Sequence, residues 1–218
     1  MRDYITTLVG RYKAISQRAF YIQSATGFFI LVISLFFNNY ASHYTAIHSG
    51  ASVSDIILDN VRVLDVETIF VEGFIIYILF VVFLALHKPA RVPFILKSSA
   101  LFICIRAFFL ILTHLGPPLQ ELVVHTANII ERTVAGSDAG LFFSGHTGSP
   151  FLMALVFWHN MRLRITFLLT AIFFGGVVLV GHLHYSIDVF SAFFITYGIF
   201  HIAVRLFRKD YELFMVAE

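Results

Sequence analysis

Long apolar runs are the feature that most constrains how this chain can fold. A helix needs about 20 mainly apolar residues to cross about 30 Å of hydrocarbon, and six segments approach that length. They cover residues 20–41, 68–86, 94–115, 144–161, 165–181 and 186–207. Because hydrocarbon offers no hydrogen bonds to the backbone, each segment is expected to be helical. The sequence therefore predicts an all-α, polytopic membrane bundle with about six transmembrane helices.

The composition supports lipid as the solvent of this chain. Hydrophobic residues make up 59% of the 218 residues and charged residues only 13%, whereas soluble domains contain about 25% charged residues. The net charge of +2 is too small to indicate a nucleic-acid partner. Cys104 is the single cysteine, which excludes an intrachain disulfide bond.

The distribution of basic residues predicts the orientation in the membrane. Twelve of the 15 Lys and Arg residues fall in alternate connections and at the two termini, whereas the intervening connections are acidic. Basic connections favour the cytoplasmic side. Both termini are therefore predicted to be cytoplasmic, and the loops 42–67, 116–143 and 182–185 to face outward. We expect an integral protein of the plasma (inner) membrane.

The whole chain is predicted to form a single membrane domain. Residues 1–19 would be an amphipathic cytoplasmic N-terminus, 20–207 the six-span bundle, and 208–218 a cytoplasmic tail. Two outer segments, 44–66 and 119–135, have an amphipathic pattern. Such a pattern is typical of an interfacial helix, but for 44–66 an ordinary acidic loop fits equally well.

Two polar segments stand out from the apolar background, and both lie at predicted outer helix ends. They are LFFSGHTGSP (141–150) and GHLHYSIDV (181–189). His184 and Asp188 are four residues apart and would share one face of a helix. The carboxylate could orient one imidazole nitrogen and leave the other free for nucleophilic attack. His146 could then act as a general acid, an effect typically worth about 10²–10⁴ in rate.

The same two segments contain groups suited to an anion. Gly145 and the following residues begin a helix, whose amide donors and dipole favour a phosphate. Ser144 is placed to cap that helix and also to donate to phosphate. Arg106 lies within an apolar span, where a cation usually faces an interior partner or cavity. Its guanidinium suits a phosphate, although an ion pair with Glu72 is a structural alternative.

The motifs themselves resemble a known family. Ser144-Gly145-His146-Thr147, followed by His184-Tyr185-Ser186-Ile187-Asp188-Val189, is similar to the two signature motifs of the sphingomyelin synthase-like branch of the phosphatidic acid phosphatase type 2 superfamily. The resemblance extends to His182 and to Arg106 with its Gly-Pro-Pro turn, and covers about residues 100–200.

The resemblance implies a lipid phosphotransferase or phosphohydrolase that acts at the extracytoplasmic face. His184 would form a phosphohistidine, which water or an acceptor alcohol such as ceramide or diacylglycerol then opens. No metal or organic cofactor is implied, and the partners would be membrane lipids. The predicted catalytic residues are His146, His184 and Asp188, and the predicted phosphate- and substrate-binding residues are Arg106, Ser144, Gly145, His182 and Tyr185.

Several alternatives fit the same residues. The chain could be a plain lipid phosphate phosphatase of the same superfamily, or a non-enzymatic membrane protein or transporter. His146, His182, His184 and Asp188 could instead hold a zinc ion, since imidazole and carboxylate are both zinc ligands. Tyr185 would equally serve as an interfacial anchor.

Overall fold

The computed structural model of this protein describes residues 17–119, 122 and 141–217, and within these residues the fold is entirely helical. Predictions for 1–16 and for most of the segment 119–135 lie outside the described residues. The helices, numbered here in chain order, are α1 (Gln17–Ile47), α2 (Glu67–His87), α3 (Val92–Leu112), α4 (Gly145–Val156), α5 (Met161–Val180), α6 (Ser186–Leu206) and α7 (Arg208–Ala217).

Five of these helices are long and apolar enough to cross a membrane: α1, α2, α3, α5 and α6. This result confirms the all-α membrane bundle. The predicted fourth span, 144–161, is a shorter helix, since α4 has only 12 residues. At 1.5 Å per residue it is about 18 Å long, well below the thickness of the hydrocarbon layer. A count of six complete spans therefore stays a prediction.

Helix α4 lies in the interior of the bundle. It packs mainly against α5 and α6, and nine of its residues are buried. The core around it is rich in phenylalanine, with Phe143, Phe157, Phe167 and Phe174 among its buried members. Helix α1, in contrast, packs chiefly along α3 and exposes many large apolar side chains, as expected for a surface in contact with lipid.

One end of the bundle collects both motifs. The N-termini of α2, α4 and α6 lie at this end, together with the C-termini of α1, α3 and α5. The connection 48–66 is a loop with one 3-10 turn at Leu58–Asn60, so of the two alternatives for this segment the structure has the loop. It is tied to the bundle by a hydrogen bond from Leu64 N to Val180 O.

The opposite end of the bundle carries the basic connections and the C-terminal helix. The predicted tail 208–218 is helical over Arg208–Ala217 and buries Leu213 and Phe214 against the bundle. Asp210 of this helix forms a buried ion pair with Lys97 of α3, with an Nζ to Oδ2 distance of 2.6 Å. The tail is therefore a packed element of the described fold.

Candidate active site

The first motif forms the capped start of α4. Ser144 is fully buried, and its hydroxyl accepts hydrogen bonds from Thr147 N (3.3 Å) and Thr147 Oγ1 (3.2 Å). Serine is favoured at this position because its oxygen satisfies one of the unpaired amide groups of the first turn. The remaining amide groups and the helix dipole make this end of α4 suitable for an anion.

The second motif forms the start of α6. Asp188 is fully buried, and its Oδ2 accepts a hydrogen bond from Tyr185 N at 3.0 Å, which fixes the carboxylate at the first turn. The predicted partner His184 lies two residues before this helix, so the expectation that the two side chains share one face of a helix is wrong. His184 Nδ1 nevertheless lies 3.5 Å from Asp188 Oδ2. That distance is too long for a good hydrogen bond, and His184 Nδ1 is buried with no hydrogen-bond partner among the described residues.

The two motifs are in direct contact. Ser144 N donates a hydrogen bond to Asp188 O at 3.1 Å, joining the start of α4 to the first turn of α6. Gly175 of α5 lies against both helices, since a Cβ atom at this position would be 3.2 Å from Val189 and 3.5 Å from Thr147. The fold thus joins two segments that are separated by a complete membrane span in the sequence.

His146 is buried between aromatic rings on the inner side of this junction. Its ring centroid lies 4.0 Å from the rings of both Phe70 and Phe74 of α2. Its Nε2 atom is buried and has no hydrogen-bond partner among the described residues. The ring is within electrostatic range of His184 and Arg106, so the structure brings three of the predicted site residues together. A buried imidazole nitrogen without a partner is costly unless a ligand or water satisfies it.

Arg106 also reaches the start of α4. Its Nε donates to Phe143 O at 3.0 Å and its Nη1 to Asn38 Oδ1 at 3.1 Å. A Cβ atom on Gly145 would lie 3.3 Å from the guanidinium Nε, a tight contact, so glycine leaves room for the Arg106 side chain beside the backbone. Arg106 also interacts electrostatically with Asp188. The alternative partner, Glu72, lies exposed on α2.

The other two predicted binding residues, His182 and Tyr185, are held by the loops at the motif end of the bundle. His182 has a positive φ of 52° and its Nε2 lies 3.1 Å from Val61 O. The Tyr185 hydroxyl donates to Gly116 O at 2.9 Å and accepts from Val53 N at 3.1 Å. Both side chains are nearly fully buried, and these contacts give them a role in joining the loops to the site.

Asp55 is a residue of this site that the sequence analysis missed. Its Oδ2 accepts hydrogen bonds from both Ser186 N and Ser186 Oγ at 2.7 Å, at the first residue of α6. Its Oδ1 accepts from Ile57 N and Leu58 N. Burial raises the pKa of Asp55, but the hydrogen bonds from Ser186, Leu58 and Ile57 outweigh this effect and the net pKa lies below its usual value.

No sequence signal singled out Asp55 or Asn38. Asp55 is one of several acids in the loop 48–66, which has no motif, and Asn38 lies near the predicted end of the first span. Their contacts with Ser186 and Arg106 cross 131 and 68 residues, respectively. Only the folded arrangement identifies them.

The zinc alternative receives no support from the geometry. Within the residues that the structure describes, no three His, Cys, Asp or Glu side chains come together in a way that could hold a metal ion. His182, one of the four proposed ligands, is instead directed to the carbonyl oxygen of Val61.

Comparison with protein families agrees with this arrangement. Residues 139–205 match the family model described as PAP2 superfamily C-terminal. The matched region covers less than a third of the chain and contains both motifs. The match supports a relationship to the PAP2 superfamily, and with it a function of the lipid phosphatase or phosphotransferase type. No curated protein and no solved structure matches the chain.

Proposed function

We propose that this chain is an integral membrane enzyme that cleaves a phosphoester bond of a phospholipid or lipid phosphate through a phosphohistidine on His184. The observation that carries the proposal is the hydrogen bond from Ser144 N to Asp188 O, because it joins the His146 motif to the His184 motif. The match to the PAP2 superfamily over the same region supports the proposal independently.

In the first step, His184 Nε2 attacks the phosphorus atom and the bond from phosphorus to the leaving oxygen breaks. Asp188 accepts a hydrogen bond from His184 Nδ1–H, which holds the reactive tautomer and stabilises the positive charge on the ring. His146 Nε2–H donates its proton to the leaving oxygen. The unpartnered Nε2 of His146 suits this role, since a substrate oxygen would supply the missing hydrogen bond.

In the second step, water or an alcohol attacks the phosphohistidine. His146, now neutral at Nε2, accepts the proton of the attacking hydroxyl, and the bond between phosphorus and His184 breaks. Both histidines return to their starting states. Arg106 and the amide groups at the start of α4 would stabilise the phosphoryl oxygens, whose negative charge develops at a site of preorganised donors. Water gives a phosphatase, whereas a lipid alcohol such as ceramide or diacylglycerol gives a transferase.

The site is proposed to open to the extracytoplasmic side. Both motifs lie at the end of the bundle opposite to Lys88, Arg162, Arg164 and Lys209, and such basic connections favour the cytoplasm. A plasma (inner) membrane location is proposed on the same ground.

A turnover experiment tests this function. Purified protein in detergent is incubated with phospholipids labelled in the phosphate, with and without ceramide or diacylglycerol, and the products are separated by head group. We expect His184→Ala to lower turnover by at least about 10³-fold, because it removes the nucleophile. The matched control is His201→Ala, since His201 lies exposed near the other end of α6 and should be replaceable.

The same experiment separates the two reaction types. Transfer of label to the added lipid alcohol without release of a free phosphorylated product identifies a transferase, and release alone identifies a phosphatase. Acid-labile, base-stable label on the protein is expected for wild type and absent from His184→Ala. Full turnover by His184→Ala would overturn the mechanism.

A further inference from the structure

A cavity of about 520 Å³ lies on the outer side of the proposed active site. Its walls come from the loop 48–66 and from Pro118 and Leu119, and His182 and Tyr185 contribute to its lining. These two residues flank the proposed nucleophile His184 within two positions in the sequence, so the cavity lies at the same end of the bundle as the proposed reaction site. The proposed mechanism uses none of its loop residues.

The walls of this cavity are fixed by hydrogen bonds. The imidazole of His182 is joined to Val61 O, and the hydroxyl of Tyr185 is joined to both Gly116 O and Val53 N. Asp55 attaches the same loop to the first residue of α6. The cavity is therefore part of the packed outer end of the bundle, and its volume falls in the range of about 300–1,000 Å³ that is usual for small-molecule sites.

The lining has the chemistry of a site for hydroxyl groups. Ser52, Ser54 and Asn60 offer hydroxyl and amide groups, which both donate and accept hydrogen bonds. Arg62 and Asp59 add one positive and one negative charge, so the Lys, Arg, Asp and Glu side chains among the described lining residues balance. A mixed set of donors and acceptors without net charge favours an uncharged polar ligand over an ion.

The lining does not suit a quaternary ammonium group. Such cations are recognised by cages of several aromatic rings, and Tyr185 is the sole aromatic side chain among the described residues that line the cavity. Tyr185 is also only 1% exposed, so little of its ring surface is accessible to a ligand.

We propose that this cavity binds the head group of the phospholipid substrate, and that the head group is an uncharged, hydroxyl-rich alcohol such as glycerol. This inference rests on the proposed function and deepens it, because it names the alcohol that is esterified to the phosphate of the substrate and where that alcohol binds. When the bond from phosphorus to the diacylglycerol oxygen breaks, His146 supplies the proton to that oxygen and diacylglycerol leaves. The phosphate stays on His184, with its head-group alcohol in the cavity.

A specificity ratio tests this proposal. The values of kcat/KM are measured for phosphatidylglycerol, phosphatidylcholine and phosphatidate, the last of which has no alcohol on its phosphate. The variant Ser54→Phe fills the cavity from an exposed loop position, and Ser49→Phe places the same ring on the same loop outside the lining. We expect Ser54→Phe to lower the ratio of kcat/KM for phosphatidylglycerol to that for phosphatidate by about tenfold or more, because differential binding sets such ratios. Ser49→Phe should leave this ratio unchanged.

A preference of the wild-type protein for phosphatidylcholine over phosphatidylglycerol would overturn the proposal, as would equal ratios in the two variants. A binding experiment separates this inference from the mechanism. Labelled phosphatidylglycerol is bound to the His184→Ala protein, and its displacement by unlabelled phosphatidylglycerol is compared with its displacement by phosphatidylcholine. One outcome is that wild type turns over no lipid, while His184→Ala binds phosphatidylglycerol preferentially and loses this preference when Ser54→Phe is added. The head-group site would then stand and the proposed function would fail. If lipids are turned over but this preference is absent, the proposed function stands and the head-group site fails.

Discussion

At the scale of single residues, glycines allow side chains near the site to pack closely against the backbone of α4. Gly145 lets the guanidinium of Arg106 contact the start of α4, and Gly148 lies so near Phe102 that a Cβ atom would be 2.8 Å from its ring. Asp55 acts over a longer distance in the sequence, since its carboxylate in the loop 48–66 accepts hydrogen bonds from the first residue of α6.

Replacing Gly148 by alanine is expected to destabilise the protein. The new methyl group would lie 2.8 Å from the Phe102 ring and 2.9 Å from Thr196 Oγ1, and relieving such overpacking typically costs about 1–3 kcal/mol. Gly176→Ala is the matched control in α5, because nothing lies within 4 Å of its added methyl group. Thermal unfolding in detergent, followed by the fluorescence of the single tryptophan, should show a lower Tm for Gly148→Ala alone. Equal Tm values would contradict the packing described around Gly148.

Asp55→Asn is expected to lower stability in a pH-dependent manner. The pKa of Asp55 in the folded protein lies below the ordinary value of 3.8, so its ionised form favours the folded state. This contribution is fully present above the unfolded pKa and is lost as the pH falls through the folded pKa. The Tm difference between wild type and Asp55→Asn should therefore be largest near neutral pH and shrink below about pH 4. A difference that grows toward acid pH would contradict this assignment.

At the scale of elements, α4 and α7 depart most from a simple row of membrane spans. Helix α4 is short: it is capped by Ser144 and ends at Val156. Its start therefore brings His146 to the first turns of α2, where Phe70 and Phe74 contact the ring. Helix α7 folds back onto the far end of α3 through the buried Lys97–Asp210 pair.

Asp210→Ala is expected to weaken the docking of α7 strongly. Lys97 would keep its buried position near Gln23 but lose its counter-charge, and breaking a buried pair in this way costs about 3–5 kcal/mol. The matched control is Glu212→Ala on the same helix, whose partner Arg208 is 80% exposed. An exposed pair contributes less than about 1 kcal/mol. Similar losses of Tm in the two variants would show that the Lys97–Asp210 pair does not hold the helix.

At the scale of the whole molecule, the two ends of the bundle carry different kinds of side chain. The motif end contains the buried histidines, Asp188 and the cavity, and the other end contains the basic connections with α7. A site at one end of a membrane protein acts on one leaflet, so the orientation decides which lipids can reach it.

Cysteine labelling tests the predicted orientation. In a Cys104→Ser background, a cysteine at Ser49 should react with a membrane-impermeant maleimide in intact cells, because the loop 48–66 is predicted to face outward. A cysteine at Lys209 should react only after the membrane is permeabilised. The reverse pattern would place the proposed site on the cytoplasmic side and contradict the reading of the basic connections.

The sequence by itself determined the helical class, the approximate limits of the long spans and the residues of the two motifs. Apolar runs of this length have one stable form in lipid, because only a helix satisfies its backbone internally. His184 and Asp188 are also close in the sequence. Although only Asp188 lies in α6, the structure places these two side chains 3.5 Å apart.

The tertiary structure alone decided what depends on contacts between distant segments. Three hydrogen bonds join helices or loops that are far apart in the chain. They run from Ser144 N to Asp188 O, from Ser186 Oγ to Asp55 Oδ2 and from Arg106 Nη1 to Asn38 Oδ1. Apolar periodicity cannot predict such contacts, since many helix arrangements bury the same residues and only packing selects one. For the same reason, the sequence did not predict that α4 is short or that α7 packs against the bundle.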